Sequence, residues 1–591
     1  MASGLDDLGV DSLVAVEIRS WFGKEIETEI PVFKVLSGGS VAQLLEYAID
    51  NMPAKLVPHS NGEQGTVSDS GSTNIRLTPA STPSVPSVNL ASDSTGSSQV
   101  GEDVDSSVDM VVTPLETPFE DAEIKRTLSI TEIEPPAEKT PSTNFEKIIP
   151  MSPGQSRFWF LKHLMKDQTT ANSTILVAID GNLRLDSLED AVRKIAAHHE
   201  AFRTSFFTDE NHKPVQAISA LSRLFLERKV VASESQVKEE FEKLKNHVYD
   251  LEHGETLRLV HLCLTPTKSY LVIGSHHITL DGISLEVFLQ TLQHAYNGQP
   301  LSKNTFQYSD YSEKLRQEIS SGSLQSDIEY WKVELANHPP ALPLLPFSST
   351  KTRQPLEEYS HVSLNRIVPA ALAKQIQETC HRLKANIFHF YLGVFEILLF
   401  KLLGSSDVCI GMADANRWDD RVAQSIGMYL NLLPLRFHLD STQSFEAVLK
   451  ETRRKAYLAM SHSRLPFDVL LENVECDRST SFSPLFQAFI NYRQGVSETR
   501  KFGGATGTTT EISLPRAGYD ISLDIIENPG QDTRVTFMLQ KTLYGEEETT
   551  KVLDLYFKLL GSVSRMSGQS LKDISLFSKE DIHNAVQLGQ G

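Results

Sequence analysis

The segment Ser275-His276-His277-Ile278-Thr279-Leu280-Asp281-Gly282 sets two imidazoles and a carboxylate beside a glycine. Imidazole changes charge near neutral pH, so a histidine held at a cleft can take up and return protons. Three uses of the segment compete. Two His and one Asp are metal ligands, yet adjacent residues that continue a strand point to opposite faces and grip a single ion poorly. A purely structural His pair is the commoner use of such residues, although it would not call for an Asp-Gly at this offset. The third use is a catalytic imidazole oriented by the turn that Asp281 and Gly282 shape.

A second candidate is Leu8-Gly9-Val10-Asp11-Ser12-Leu13, where a serine hydroxyl opens an amphipathic run. Ser and Asp are favoured at helix N-termini, so on its own the pair reads as a helix cap. The elements that must position these motifs show in the spacing of apolar residues. Tyr270–Gly274 predicts a strand, and Leu285, Phe288, Leu289, Leu292 and Tyr296 form the buried stripe of a following helix that Asn297-Gly298 stops. Asp186, with Glu189 three residues on, predicts the N-cap of a helix that buries Leu188, Ala191, Val192 and Ile195 and ends near His198 and His199. The apolar run Ile387–Leu403 holds Glu396 and Lys401 and is too short for a membrane span, which predicts a buried helix.

A formal charge of −20 over 591 residues argues against a general nucleic-acid or anionic-membrane binder, because phosphate-rich partners need clustered Lys and Arg. The cysteines, Cys263, Cys380, Cys409 and Cys476, are scattered without Cys-x-x-Cys spacing, so neither a zinc site nor a disulfide framework is expected. Met1–Asp11 carries Asp6, Asp7 and Asp11 and lacks the basic and apolar regions of a secretory signal, which points to the cytoplasm. Residues 1–52 read as a small helical unit. Residues 53–144 are rich in Ser, Thr, Pro and acids, with 14 Asp/Glu against 5 Lys/Arg between 51 and 140, and predict a disordered linker. From 145 onward strand and helix patterns alternate, which predicts an α/β body large enough for two lobes, 145–325 and 326–580, before a tail at 581–591.

Leu8 through Phe22, with Pro31-Val32-Phe33 and Gly38-Gly39-Ser40-Val41, resembles the acyl-carrier domain of reducing fungal polyketide synthases. With only 11 residues before Ser12, the first helix of such a carrier is absent and a remnant is expected. His-His-x-x-x-Asp-Gly resembles the signature of nonribosomal peptide synthetase condensation domains. Other motifs follow the family order: Met151-Ser152-Pro153-Gly154-Gln155-Ser156-Arg157-Phe158-Trp159, His199-Glu200-Ala201-Phe202-Arg203-Thr204-Ser205-Phe206, Tyr308-Ser309-Asp310-Tyr311, Ile426-Gly427-Met428-Tyr429-Leu430-Asn431, Leu465-Pro466-Phe467-Asp468 and Ser483-Pro484-Leu485-Phe486-Gln487. The whole is similar to a carrier-plus-condensation stretch of a fungal-type hybrid polyketide synthase–nonribosomal peptide synthetase.

That resemblance implies two chloramphenicol-acetyltransferase-like lobes in a V, with a tunnel entered by one carrier arm from each side. It implies a 4′-phosphopantetheine arm on Ser12, and an upstream acyl carrier and a downstream peptidyl carrier as partners. The implied reaction joins a polyketide acyl thioester to the amine of an aminoacyl thioester. His277 would be catalytic, as a base or as a stabiliser of the tetrahedral species, and His276 structural. Asp281 would hold the loop by pairing with an Arg of the opposite lobe, for which Arg436 is the candidate. Gly282 would leave room for the arm, and Asn491 is a further candidate near the cleft. The rivals are a coenzyme A-dependent acyltransferase, whose Asp-Phe-Gly-Trp-Gly motif is missing, and a non-catalytic carrier-docking module.

Overall fold

The computed structural model describes Thr28 and residues 41–50, 145–301, 306–494, 499–528 and 532–576. The expected linker at 53–144, the tail at 581–591 and Ser12 lie outside the described residues. In chain order the first elements are α1 (Val41–Asp50), β1 (Phe145–Pro150), α2 (Pro153–Leu164), β2 (Asn172–Asp180), α3 (Leu185–His198), β3 (Thr204–Thr208), β4 (Pro214–Ser219), β5 (Leu226–Val230), α4 (Glu234–Lys245), β6 (Leu257–Thr265), β7 (Lys268–His276), α5 (Gly282–Tyr296), α6 (Tyr308–Ser320) and α7 (Gln325–Glu334). There follow β8 (His361–Ile367), α8 (Ala370–Leu383), α9 (Ile387–Leu403), β9 (Asp407–Asp414), β10 (Asn431–His438), α10 (Phe445–Ser461), α11 (Phe467–Asn473), β11 (Ala488–Gln494), β12 (Thr499–Phe502), β13 (Ala505–Ser513), β14 (Ile521–Glu527), β15 (Arg534–Gln540) and α12 (Glu546–Arg565).

Strand periodicity explains the first layer. In β7, Leu271 and Ile273 face one side of the sheet and pack with Leu188, Val192 and Ile195 of α3 and Phe288 and Leu292 of α5. Tyr270 and Val272 face the other side and meet Val237 and Phe241 of α4. This sheet runs β12-β13-β2-β7-β6-β5, and a second runs β10-β9-β11-β14-β15-β8. β13 lies antiparallel to β2, with Thr508 opposite Ala178. Residues 499–513 therefore belong to the first sheet, which corrects a division of the lobes at 325/326 alone. The chain returns across the molecule to add two strands to the sheet that carries His276.

The helix expected to start at an Asp186 N-cap starts at Leu185, with Arg184 at the cap position and no side-chain cap bond. Asp186 instead sits in the first turn, where its charge meets the positive end of the helix dipole. The 387–403 run is a buried helix, α9, capped by Asn386, whose side chain accepts from the His389 N–H, and stopped by Gly404 at φ 65°. No single described helix is long and apolar enough to cross a membrane; α8 and α9 pass such a test only as a pair bent by 101°.

Glu396 is buried in the middle of α9, and burial pushes its carboxyl pKa well above the ordinary range. Thr452 Oγ1 donates to Glu396 Oε1 at 2.8 Å, which offsets part of that shift, and also lies 2.9 Å from Val448 O. A carboxyl that is neutral when folded and ionised when unfolded stabilises fully below its unfolded pKa, and that contribution is lost as pH rises toward the folded value. Glu396→Gln should therefore melt progressively higher than the parent protein as pH is raised from about 5 to about 8. A melting difference that stays flat with pH would contradict this reading.

Candidate active site

β7 runs directly into the functional turn. The His276 N–H donates to Thr256 O at 3.0 Å and the His277 N–H to Ala171 O at 2.8 Å, and the Thr279 N–H then turns back to His276 O at 3.1 Å. Both His residues are 4 % exposed, yet their rings do different work. His276 Nδ1 accepts from the Ile278 N–H at 3.2 Å, between Phe158 and Tyr249. Burial, with help from the charges of His277 and Lys162, drives its pKa down to about 3, so His276 is a neutral packing group.

His277 Nδ1 meets Leu280 O. A carbonyl only accepts, so Nδ1 carries a proton, which makes Nε2 the nitrogen at which the ring would gain or lose one. Phe158 of α2 packs beside the ring, 5.0 Å between centroids. A histidine fixed in this tautomer can remove a proton at Nε2 or, once protonated, stabilise a developing negative charge. Among the described residues no three His, Cys, Asp or Glu side chains gather as a metal site.

Asp281 ends the turn and caps α5, accepting from the Ser284 N–H at 2.7 Å. Its carboxylate also reaches across to the segment between β9 and β10. Arg417 Nη2 donates to Oδ1 at 3.1 Å and to Oδ2 at 3.4 Å, and the Tyr429 N–H donates to Oδ2 at 2.9 Å. Arg417 also donates to Ser284 Oγ at 2.7 Å and to the carbonyls of Val422 and Ser425, and it lies 4.4 Å over the Tyr429 ring. The two charged side chains are 2 % and 8 % exposed, so this is a dry ion pair with extensive hydrogen bonding.

The arginine opposite Asp281 is thus Arg417, which corrects the expectation of Arg436. Arg436 sits in β10 and binds Asp407, with Nη2 to Oδ2 at 2.7 Å, while Nη1 donates to Ala336 O at 2.6 Å. Of the arginines around Ile426-Gly427-Met428-Tyr429, Arg417 reaches Asp281, Arg421 pairs with Asp419, and Arg436 in the strand is committed to Asp407. Asn491 lies within β11 and donates to Asp524 Oδ1 at 2.9 Å, rather than to the turn of Asp281. Gly282 is exposed, and a Cβ there would meet no atom within 4 Å, which leaves open space beside the turn. Ser284 escaped the sequence reading, although its place three residues after an N-cap Asp made a capping contact foreseeable.

Residues 145–584 match the condensation domain family, and residues 2–48 match the phosphopantetheine attachment site family. This chain belongs to the condensation domain family. It is 99 % identical, over its whole length, to the hybrid PKS-NRPS synthetase gkaA of Penicillium citrinum and 62 % identical to xenE of Xenoacremonium sinensis. The chain spans 15 % of the length of each. In fold it is similar to the condensation domain of the Monacolin K polyketide synthase MokA, at 28 % identity and a TM-score of 0.66, covering 72 % of this chain and 100 % of that one. The condensation domain accordingly has the chloramphenicol-acetyltransferase-like fold with mixed sheets that the motifs implied.

Proposed function

We propose that this condensation domain joins a polyketide acyl group to an amino acid, both presented as carrier-bound thioesters. The observation that carries the reading is the His277 ring, held as the Nδ1–H tautomer on a turn fixed from the second lobe, beside the open side of Gly282. The amine nitrogen attacks the acyl carbonyl carbon, the C–S bond breaks, the thiolate of the upstream carrier departs and an amide is left on the downstream carrier. His277 Nε2 takes the amine proton, which the departing thiolate then recovers, or, already protonated, binds the charge that develops on the acyl oxygen while the amine proton passes to the thiolate. A thioester is already activated, so holding both ends in one tunnel supplies much of the rate. The 4′-phosphopantetheine arm, when Ser12 carries it, provides the thiol that bears the acyl group. The 2–48 match supports Ser12 as its attachment point.

The test separates carriers from free coenzyme A. With an aminoacyl-loaded downstream carrier as acceptor, acyl groups on an upstream carrier should yield amide much faster than the same acyl groups on coenzyme A at equal concentration. Equal rates from both donors would favour a coenzyme A-dependent acyltransferase instead.

A further inference from the structure

The motif at Tyr308 has no part in the chemistry above, yet its hydroxyl stands at a junction. Tyr308, Ser152 and Met428 are all buried. Tyr308 Oη donates to Met428 O at 2.8 Å, which uses its only proton. The 2.7 Å contact with Ser152 Oγ is therefore donated by Ser152, which in turn accepts from the Gln155 N–H at 3.2 Å. A one-way chain results, from the first turn of α2 through Ser152 and Tyr308 to Met428.

Both ends of that chain bear on His277. Ser152 caps α2, the helix that packs Phe158 against the His277 ring. Met428 lies in the second-lobe segment Gly427–Tyr429. Its neighbours hold the turn: Gly427 O accepts from the Asp281 N–H at 3.3 Å and from Ser284 Oγ at 2.7 Å, and the Tyr429 N–H donates to Asp281. The fit is tight, since a Cβ at Gly427 would fall within the Tyr308 ring.

We propose that Tyr308 is a positioning residue for His277, coupling the helix that packs against its ring to the segment that holds its turn. This rests on the amide-forming reading. Without the hydroxyl, Met428 O and Ser152 Oγ lose their shared partner in a dry site, and the two supports of the ring move independently. A misplacement of about 1 Å can cost about 100-fold in rate, and loosening one link should cost less.

The experiment compares Tyr308→Phe, Ser152→Ala and the double variant by amide formation with both carriers loaded, and by nitrogen NMR of labelled histidine, with the His277 signals assigned by their loss in His277→Ala. Each single variant should lower kcat about tenfold while KM for either carrier changes less than about twofold. The double variant should fall no further than the worse single one, because the chain acts as a unit. The His277 nitrogen signals should move from the pure Nδ1–H tautomer toward a mixture. Wild-type kcat with unshifted His277 signals in Tyr308→Phe would overturn the proposal. A parent protein that makes no amide would refute the amide-forming reading, and the NMR comparison would still decide the part played by Tyr308. If Tyr308→Phe fails to fold, Ser152→Ala, which keeps the aromatic ring, decides by the same readouts.

Discussion

His277→Ala is expected to cut amide formation by about 10²–10⁴-fold, the usual contribution of a positioned acid or base. The fold should survive. The side chain makes a bond to Leu280 O, and leaving that carbonyl without a partner costs about 1–3 kcal/mol. The melting temperature should therefore drop by a few degrees, with the circular dichroism spectrum unchanged. KM for the carriers should change little, because in the proposed mechanism the imidazole acts on the reacting atoms rather than on docking. Near-parent turnover in a folded His277→Ala protein would remove the imidazole from the mechanism.

Asp281→Ala and Arg417→Ala should fail by another route. Each removes one partner of a buried ion pair and strands the other charge, at about 3–5 kcal/mol. Asp281→Ala also deletes the cap of α5, worth about 1 kcal/mol more. Both variants should show lower denaturant midpoints and less soluble protein, and their activity should fall because the turn that aims His277 loses its cross-lobe support. Asp281→Asn keeps an acceptor for the Ser284 N–H and should fall between the parent and Asp281→Ala. Unfolding midpoints in guanidinium, measured beside turnover, separate these cases from His277→Ala. A pair of variants as stable as the parent would show that the ion pair does not hold the two lobes together.

The strand, turn and helix from 268 to 298 were legible because each carries its own local signal. The apolar run Tyr270–Ile273 marks β7, which is buried along nearly its whole length, Asp281-Gly282 marks the start of α5, and Asn297-Gly298 marks its stop, with Gly298 at φ 73°. The buried α9 was legible from composition alone. The partner of Asp281 was not, because an ion pair between residues 281 and 417 depends on how the β9–β10 segment lies across the first lobe. Periodicity says nothing about that path. Nothing local in the sequence rules out Arg436, the expected partner; it is the pairing of β10 with β9 that brings it to Asp407. The return of β12 and β13 to the first sheet was hidden for the same reason. A strand's own residues specify that it pairs, and only the surrounding topology specifies with which sheet. Tyr308 was visible as a motif residue, but the direction of its hydrogen-bond chain needed three segments brought together in space.

The most direct test of the central claim is a single-turnover reaction between an acyl-loaded upstream carrier and an aminoacyl-loaded downstream carrier, quenched and weighed by mass spectrometry, with parent protein and His277→Ala in parallel. The parent protein should move the acyl mass onto the downstream carrier as an amide, while His277→Ala leaves both carriers loaded as they began. Parent protein that binds both carriers and transfers nothing, or transfer at equal rates by parent and variant, would contradict the account.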